Sequence, residues 1–221
     1  MLREVATGNK IYQKTFPTEG QHIAVLDIDD FIYPCTQVML DHLNQAFDKQ
    51  VKLDDLTELN VGKWFEEISE ANTFRHFLLS YNYMNVVPVY DYVAPMVEKF
   101  RRAGVYVAFV TARGFHPEGY RNTHQLLTDN NIYFDCLATT RIGQSKLDFV
   151  LDYICDEVHI VGEDSASVIE DFTSTFDVQI LKSERCWNSH IESHGTIHQH
   201  HTVDEVLAEV DKVLRNLEVN V

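Results

Sequence analysis

The stretch AVLDIDDFIYP (24–34) runs an apolar segment into three carboxylates within four residues, Asp27, Asp29 and Asp30. An apolar run this short, rich in β-branched residues, reads as a strand buried on both faces, the kind found in parallel sheets covered by helices. Its full extent is HIAVLDI (22–28), and four more runs share its character: VYVAFVT (105–111), FDCLAT (134–139), EVHIVGE (157–163) and DVQILK (177–182). Helical patterns separate them, at 92–104, 116–131, 145–155 and 165–175, with an amphipathic tail over 202–218 opened by Thr202 and Glu205 as a capping box. Alternating β and α units predict an α/β fold, a Rossmann-like, mostly parallel sheet flanked by helices.

Between about 36 and 90 that rhythm breaks. QVMLDHLNQAFDK, VGKWFEEIS and TFRHFLLSYNYM carry helical patterns without a strand among them. The segment reads as a helical insertion after the first strand, interrupting a domain made of 1–35 and 91–221.

Composition narrows the function. Lys and Arg total 18 against 34 Asp and Glu, a formal charge of −16. Such a surface repels a phosphate backbone, so a polymeric nucleic acid is disfavoured while a small phosphate ester in a local pocket is not. The N-terminus, MLREVATGNKIYQK, lacks a secretory apolar stretch, and nowhere do eighteen apolar residues run together; a cytoplasmic protein with no membrane span is expected. Cys35, Cys136, Cys155 and Cys186 lie far apart and read as structural thiols.

In an open α/β sheet, ligands bind beyond the carboxyl ends of the strands. Three acids crowded there repel one another unless a cation or a shared proton relieves them, and Mg2+ suits one or two carboxylates together with phosphate oxygens. Other strand ends add to this. VAFVTAR (107–113) closes on Thr111, Ala112 and Arg113, a hydroxyl and backbone N–H groups able to hold a phosphate oxygen. HIVGED (159–164) closes on Glu163 and Asp164, and Lys146 opens a helix, a place unfavourable to a cation unless it faces an anion.

In this combination the chain resembles the haloacid dehalogenase superfamily of phosphohydrolases. DIDDF (27–31), VTAR (110–113), Lys146 and GED (162–164) match its four motifs, and 36–90 falls where that family places a helical C1-type cap. The resemblance implies Mg2+-dependent hydrolysis through an aspartyl-phosphate. Asp27 would be nucleophile and metal ligand, Asp29 general acid–base and metal ligand through its carbonyl. Thr111 and Lys146 would hold the phosphoryl group, and Asp164 (or Glu163) would anchor the metal. The chain departs from the pattern in two respects. Phe31 stands where Thr or Val is usual, and Val168 and Ile169 stand where a second acid is common.

The implied substrate is a small phosphorylated metabolite, with a nucleoside 5′-monophosphate the best single expectation. A polynucleotide 3′-phosphatase, a sugar phosphatase or a non-catalytic phosphoryl-binding protein are the alternatives. Trp64, Phe65, Phe74, Tyr81 and Tyr83 are candidates for base stacking or for core. Arg113, and more weakly Arg75, are candidates for a second substrate anion or for ion pairs. CWN (186–188) is similar to an aromatic–Asn element after the last strand in the nucleotidase branch. The histidines at 190, 194, 198, 200 and 201 read as a solvated loop.

Overall fold

A computed structural model describes residues 2–5, 9–58, 61–80 and 82–217, with the side chains at 71, 72 and 80 set aside. Eight strands form one sheet in the order β1-β2-β5-β4-β3-β6-β7-β8. The five expected strands form its parallel centre: β3 (Ile23–Leu26), β4 (Tyr106–Thr111), β5 (Cys136–Thr139), β6 (Ile160–Glu163) and β7 (Gln179–Ser183). Each observed strand is shorter than the apolar run that signalled it at one end or both, because buried apolar residues continue into the loops.

Three strands were not expected. β1 (Leu2–Glu4) and β2 (Lys10–Gln13) make an antiparallel hairpin that pairs with β5, so the strand before the carboxylates is third in the chain, not first. The histidine-rich segment is not a loop throughout. It contains β8 (Gly195–Ile197), parallel to β7, with Leu181 opposite Gly195. There His194 pairs its main-chain N–H with the Ile180 carbonyl and accepts the Ile180 N–H at Nδ1.

Alternation along the central strands builds two apolar layers. Ala24, Leu26, Val107, Phe109, Leu137 and Leu181 face α3 (Val93–Arg102), α4 (Gly119–Asp129) and α7 (Val203–Asn216). Ile23, Val25, Ala108, Val110, Val161 and Ile180 face α5 (Lys146–Tyr153) and α6 (Ala166–Thr175). Because each central strand is covered on both sides, its sequence shows no polar alternation. α7 begins with the expected box: Thr202 Oγ1 accepts the Glu205 N–H, and Glu205 accepts the Thr202 N–H at 2.7 Å.

Between β3 and β4 the described residues hold no strand. Before α3 they form α1 (Cys35–Phe47), α2 (Ala71–Ser80) and three short 3-10 turns; the expected helix at VGKWFEEIS is two of those turns. Leu40, Leu43, Leu56, Val61, Phe65 and Ile68 give this segment an apolar cluster of its own. No helix among the described residues is long and apolar enough to cross a membrane. All four cysteines are free; Cys35 and Cys136 are buried, while Cys186 is exposed and its thiol contacts the Leu56 carbonyl.

Candidate active site

The order in which successive strands are laid down reverses between β3 and its parallel neighbour β6. From β3 the path steps through β4 and β5 to one side, then returns through α5 to β6 and β7 on the other. Crevices form at such switch points, beyond the carboxyl ends of the strands. Asp27 follows β3, Thr111 ends β4, and Glu163 ends β6 with Asp164 directly after it. A cavity of about 540 Å³ opens there, lined by Asp27, Asp29, Thr111, Ala112, Lys146, Glu163 and Asp164 among others.

The three clustered acids of β3 diverge to three partners. Asp27 accepts Lys146 Nζ at 2.8 Å. Asp29 takes a guanidinium fork, Arg113 Nη2 at 2.5 Å and Nε at 3.0 Å, both on Oδ1. Asp30 adopts the left-handed region at φ 57°, which aspartate tolerates, and turns its carboxylate to the start of α1, accepting from the Thr36 N–H at 3.0 Å and from its hydroxyl. Ser183 and Arg185 donate to the Asp30 carbonyl at 2.8 and 2.6 Å, fixing the loop from the β7 side. All three acids border the cavity, but the Asp30 carboxylate is engaged by Thr36 and serves the loop's structure.

Lys146 is the first residue of α5, behind Ser145, whose hydroxyl accepts the Asp148 N–H. Its ammonium bridges Asp27 and Glu163, the latter at 2.5 Å. Burial alone would lower its pKa; Asp27 and Glu163 outweigh that and hold it above the ordinary value. Glu163 is spent on this lysine and on the N–H groups of Asp164 and Ser165 at 3.2 and 3.1 Å. Asp164 accepts Trp187 Nε1 on Oδ2 at 3.1 Å, and Asn188 ties down its carbonyl at 2.7 Å. Asp27, Glu163 and Asp164 are all buried and each offers an oxygen within 4.8 Å of the others, a spacing that can hold a hard cation.

One ammonium does not neutralise three buried carboxylates. Burial first, then the neighbouring Glu163, pushes Asp27 up to about 8, and burial with Glu163 raises Asp164 well above the usual carboxylate range. Thr111 is fully buried and its hydroxyl has no partner within the protein. A buried polar group without a partner is costly, and here it lies in the wall of the cavity. The arrangement lacks positive charge and one hydrogen-bond acceptor.

Of the two readings of Arg113, a second substrate anion or an ion pair, the geometry takes the ion pair: the residue is 1% exposed, absent from the cavity wall, and held by Asp29, the Met84 carbonyl and the Tyr33 ring, so its side chain is buried away from a substrate anion. Arg75 is exposed and also lies off the cavity. The aromatic candidates do not line it either. Phe65 and Tyr83 are buried core, Phe74 packs in the insertion's cluster, and Trp64 borders a separate groove; Tyr81 lies outside the described residues. Trp187 and Asn188 hold Asp164 through side chains on the far side of β7, and only the short CWN likeness pointed to them. No protein-family model matches this sequence, and a comparison with curated proteins gives no significant match.

Proposed function

We propose that the chain hydrolyses small phosphate monoesters with Asp27 as nucleophile and Mg2+ as cofactor. The observation that carries this reading is the convergence of Asp27, Lys146, Thr111 and Asp164 on one cavity short of positive charge. A metal-bound phosphoryl group would supply both what the carboxylates lack and what the Thr111 hydroxyl lacks. Of the two acids after β6, Asp164 is the better ligand, because Glu163 is already engaged at both oxygens. When bound between Asp27 and Asp164, Mg2+ would offset charge on the transferring group and keep Asp27 ionised.

In the first step an Asp27 oxygen bonds to phosphorus while the bond to the leaving oxygen breaks. Asp29 gives that oxygen its proton, then takes one from the water that attacks the aspartyl-phosphate, releasing phosphate and restoring Asp27. Arg113 acts as a positioning residue. Its fork places two donors on Asp29 Oδ1 and one on Oδ2, so Oδ2 is the oxygen less engaged by the guanidinium and the one assigned the proton exchange. Lys146 balances phosphoryl charge in a position fixed by Glu163. A nucleobase-specific leaving group has no support from the cavity, which no stacking candidate lines. The supported substrate class is the monoester itself.

The test is phosphate release from an aryl phosphate whose aryl group is uncharged, with Mg2+ and with excess chelator. Turnover is expected only with metal, lost in Asp27→Asn and lowered about 100-fold or more in Asp29→Asn. Release by Asp27→Asn at the parent rate, or in chelator, sinks the proposal.

A further inference from the structure

The cavity is larger than a phosphoryl group requires, so the rest of its wall meets the leaving alcohol. That wall comes from the loop before α5, including Ile142, and from the first turns of α6, including Ser167, Val168 and Asp171. Ser167 and Asp171 are four residues apart on α6 and share one face, and both are exposed rather than committed to the core. Lys146 is the one cation in the wall among the described residues, and it is already bound to Asp27 and Glu163. Once the metal cluster and Lys146 are occupied by the phosphoryl group, Asp29 and Asp171 face whatever remains. Asp30 also borders this wall, but its carboxylate is engaged by Thr36.

Resting on the phosphohydrolase reading, we infer that the site takes monoesters whose leaving alcohol carries no second anion, a neutral hydroxyl-bearing compound such as a sugar or polyol. Asp171 is the residue that rejects a further phosphate or carboxylate. A second anion would find no free cation in this wall and would stand against like charge. Neutral hydroxyls, by contrast, find the Ser167 hydroxyl and an Asp171 carboxylate able to accept from them. The selectivity is thus built from repulsion of the wrong substrate as much as from contacts to the right one.

Matched pairs test this: a hexose 6-phosphate against its 1,6-bisphosphate, and glycerol 3-phosphate against 3-phosphoglycerate, with aryl phosphate as control. In each pair kcat/KM should fall about tenfold or more when the second anion is added, the scale of one like-charge contact at partly screened range. Calorimetric titration of the same compounds into the Asp27→Asn protein with Mg2+ should show the same order of affinity without turnover. Asp171→Lys should close most of that gap by improving the doubly anionic members relative to the aryl phosphate control, with Asp171→Asn intermediate. Equal kcat/KM within the pairs, with aryl phosphate still turned over, overturns the inference and leaves the phosphohydrolase standing. An unaltered gap in both Asp171 variants overturns the role of that residue. Failure to release phosphate from the aryl ester removes the underlying function, and this inference with it.

Discussion

Phe31 departs from the pattern of the superfamily that the chain resembles, and its surroundings explain how it is accommodated. Its ring is fully buried and lies on Gly162, the residue before Glu163 on the adjacent strand β6. A Cβ at 162 would stand 2.6 Å from Leu26 Cδ2 and 2.7 Å from Phe31 Cε1, closer than packed carbons approach. Gly162 also accepts the Asp27 N–H at 2.8 Å, so the pair adjoins the proposed nucleophile. Gly162→Ala should therefore cost about 1–3 kcal/mol in denaturant unfolding, the range for overpacking a core. Phe31→Leu should recover part of that loss in the double variant, since residues in contact do not behave additively. A Gly162→Ala protein as stable as the parent, or a loss indifferent to residue 31, would show that the two do not compete for space. Much of the site could be read from sequence because Asp27, Thr111 and Asp164 end apolar runs, and the ends of parallel strands are one place in space. The choice between substrate anion and ion pair for Arg113 stayed open in the sequence because its partner, Asp29, lies 84 residues away and nothing local marks the pairing.

The elements follow a similar division. Central strands and their helices declared themselves through apolar runs and helical periodicity, both enforced by burial on two faces. The hairpin β1–β2 and the edge strand β8 gave no such signal, since strands of three or four residues at a sheet edge need little apolar patterning. β8 is fixed instead by tertiary contact, with Gly195 pressed close to Val213 of α7. The insertion has a cluster separate from the two layers on the sheet, with Trp187 packed at its margin. That tryptophan also donates to Asp164, so the insertion's packing reaches a proposed metal ligand through one side chain. Phe65→Ala should remove about 3–5 kcal/mol of packing, the range for an emptied aromatic site. Hydrogen exchange should then rise over α1 and the turns that follow it, while β3, β4 and β6 keep their protection. Exchange rising equally in the central strands would mean that the insertion and the sheet share one cooperative core.

For the molecule as a whole, the two edges of the sheet answer pH in opposite senses. At the carboxyl edge, burial raises Asp27 and Asp164, so in metal-free protein a falling pH relieves repulsion there. At the amino edge, His22 and His159 meet ring to ring at 4.7 Å, and the His22 Nδ1 is buried without a partner. His159 bridges two strands: its main-chain N–H donates to the Ile23 carbonyl at 3.0 Å, and its Nδ1 accepts the Ile23 N–H at 3.3 Å. Protonation at Nδ1 would break that second bond. Burial, then the adjacent His22, holds His159 below its ordinary value of 6.5, against a weaker pull from Glu157. The unfolded chain therefore binds this proton at higher pH than the folded one. Stability from this group is complete above about 6.5 and is lost as pH falls from there through the lowered folded value. Because the raised carboxylates tilt the curve the other way, the informative quantity is a difference between two proteins. His159→Asn keeps an acceptor near the Nδ1 position but does not titrate. Its denaturant midpoint, compared with the parent's, should show a constant offset from pH 9 to 7 and a gap shifting in the variant's favour from pH 6.5 to 5. Parallel curves through that window would show that the His22–His159 contact carries no proton linkage.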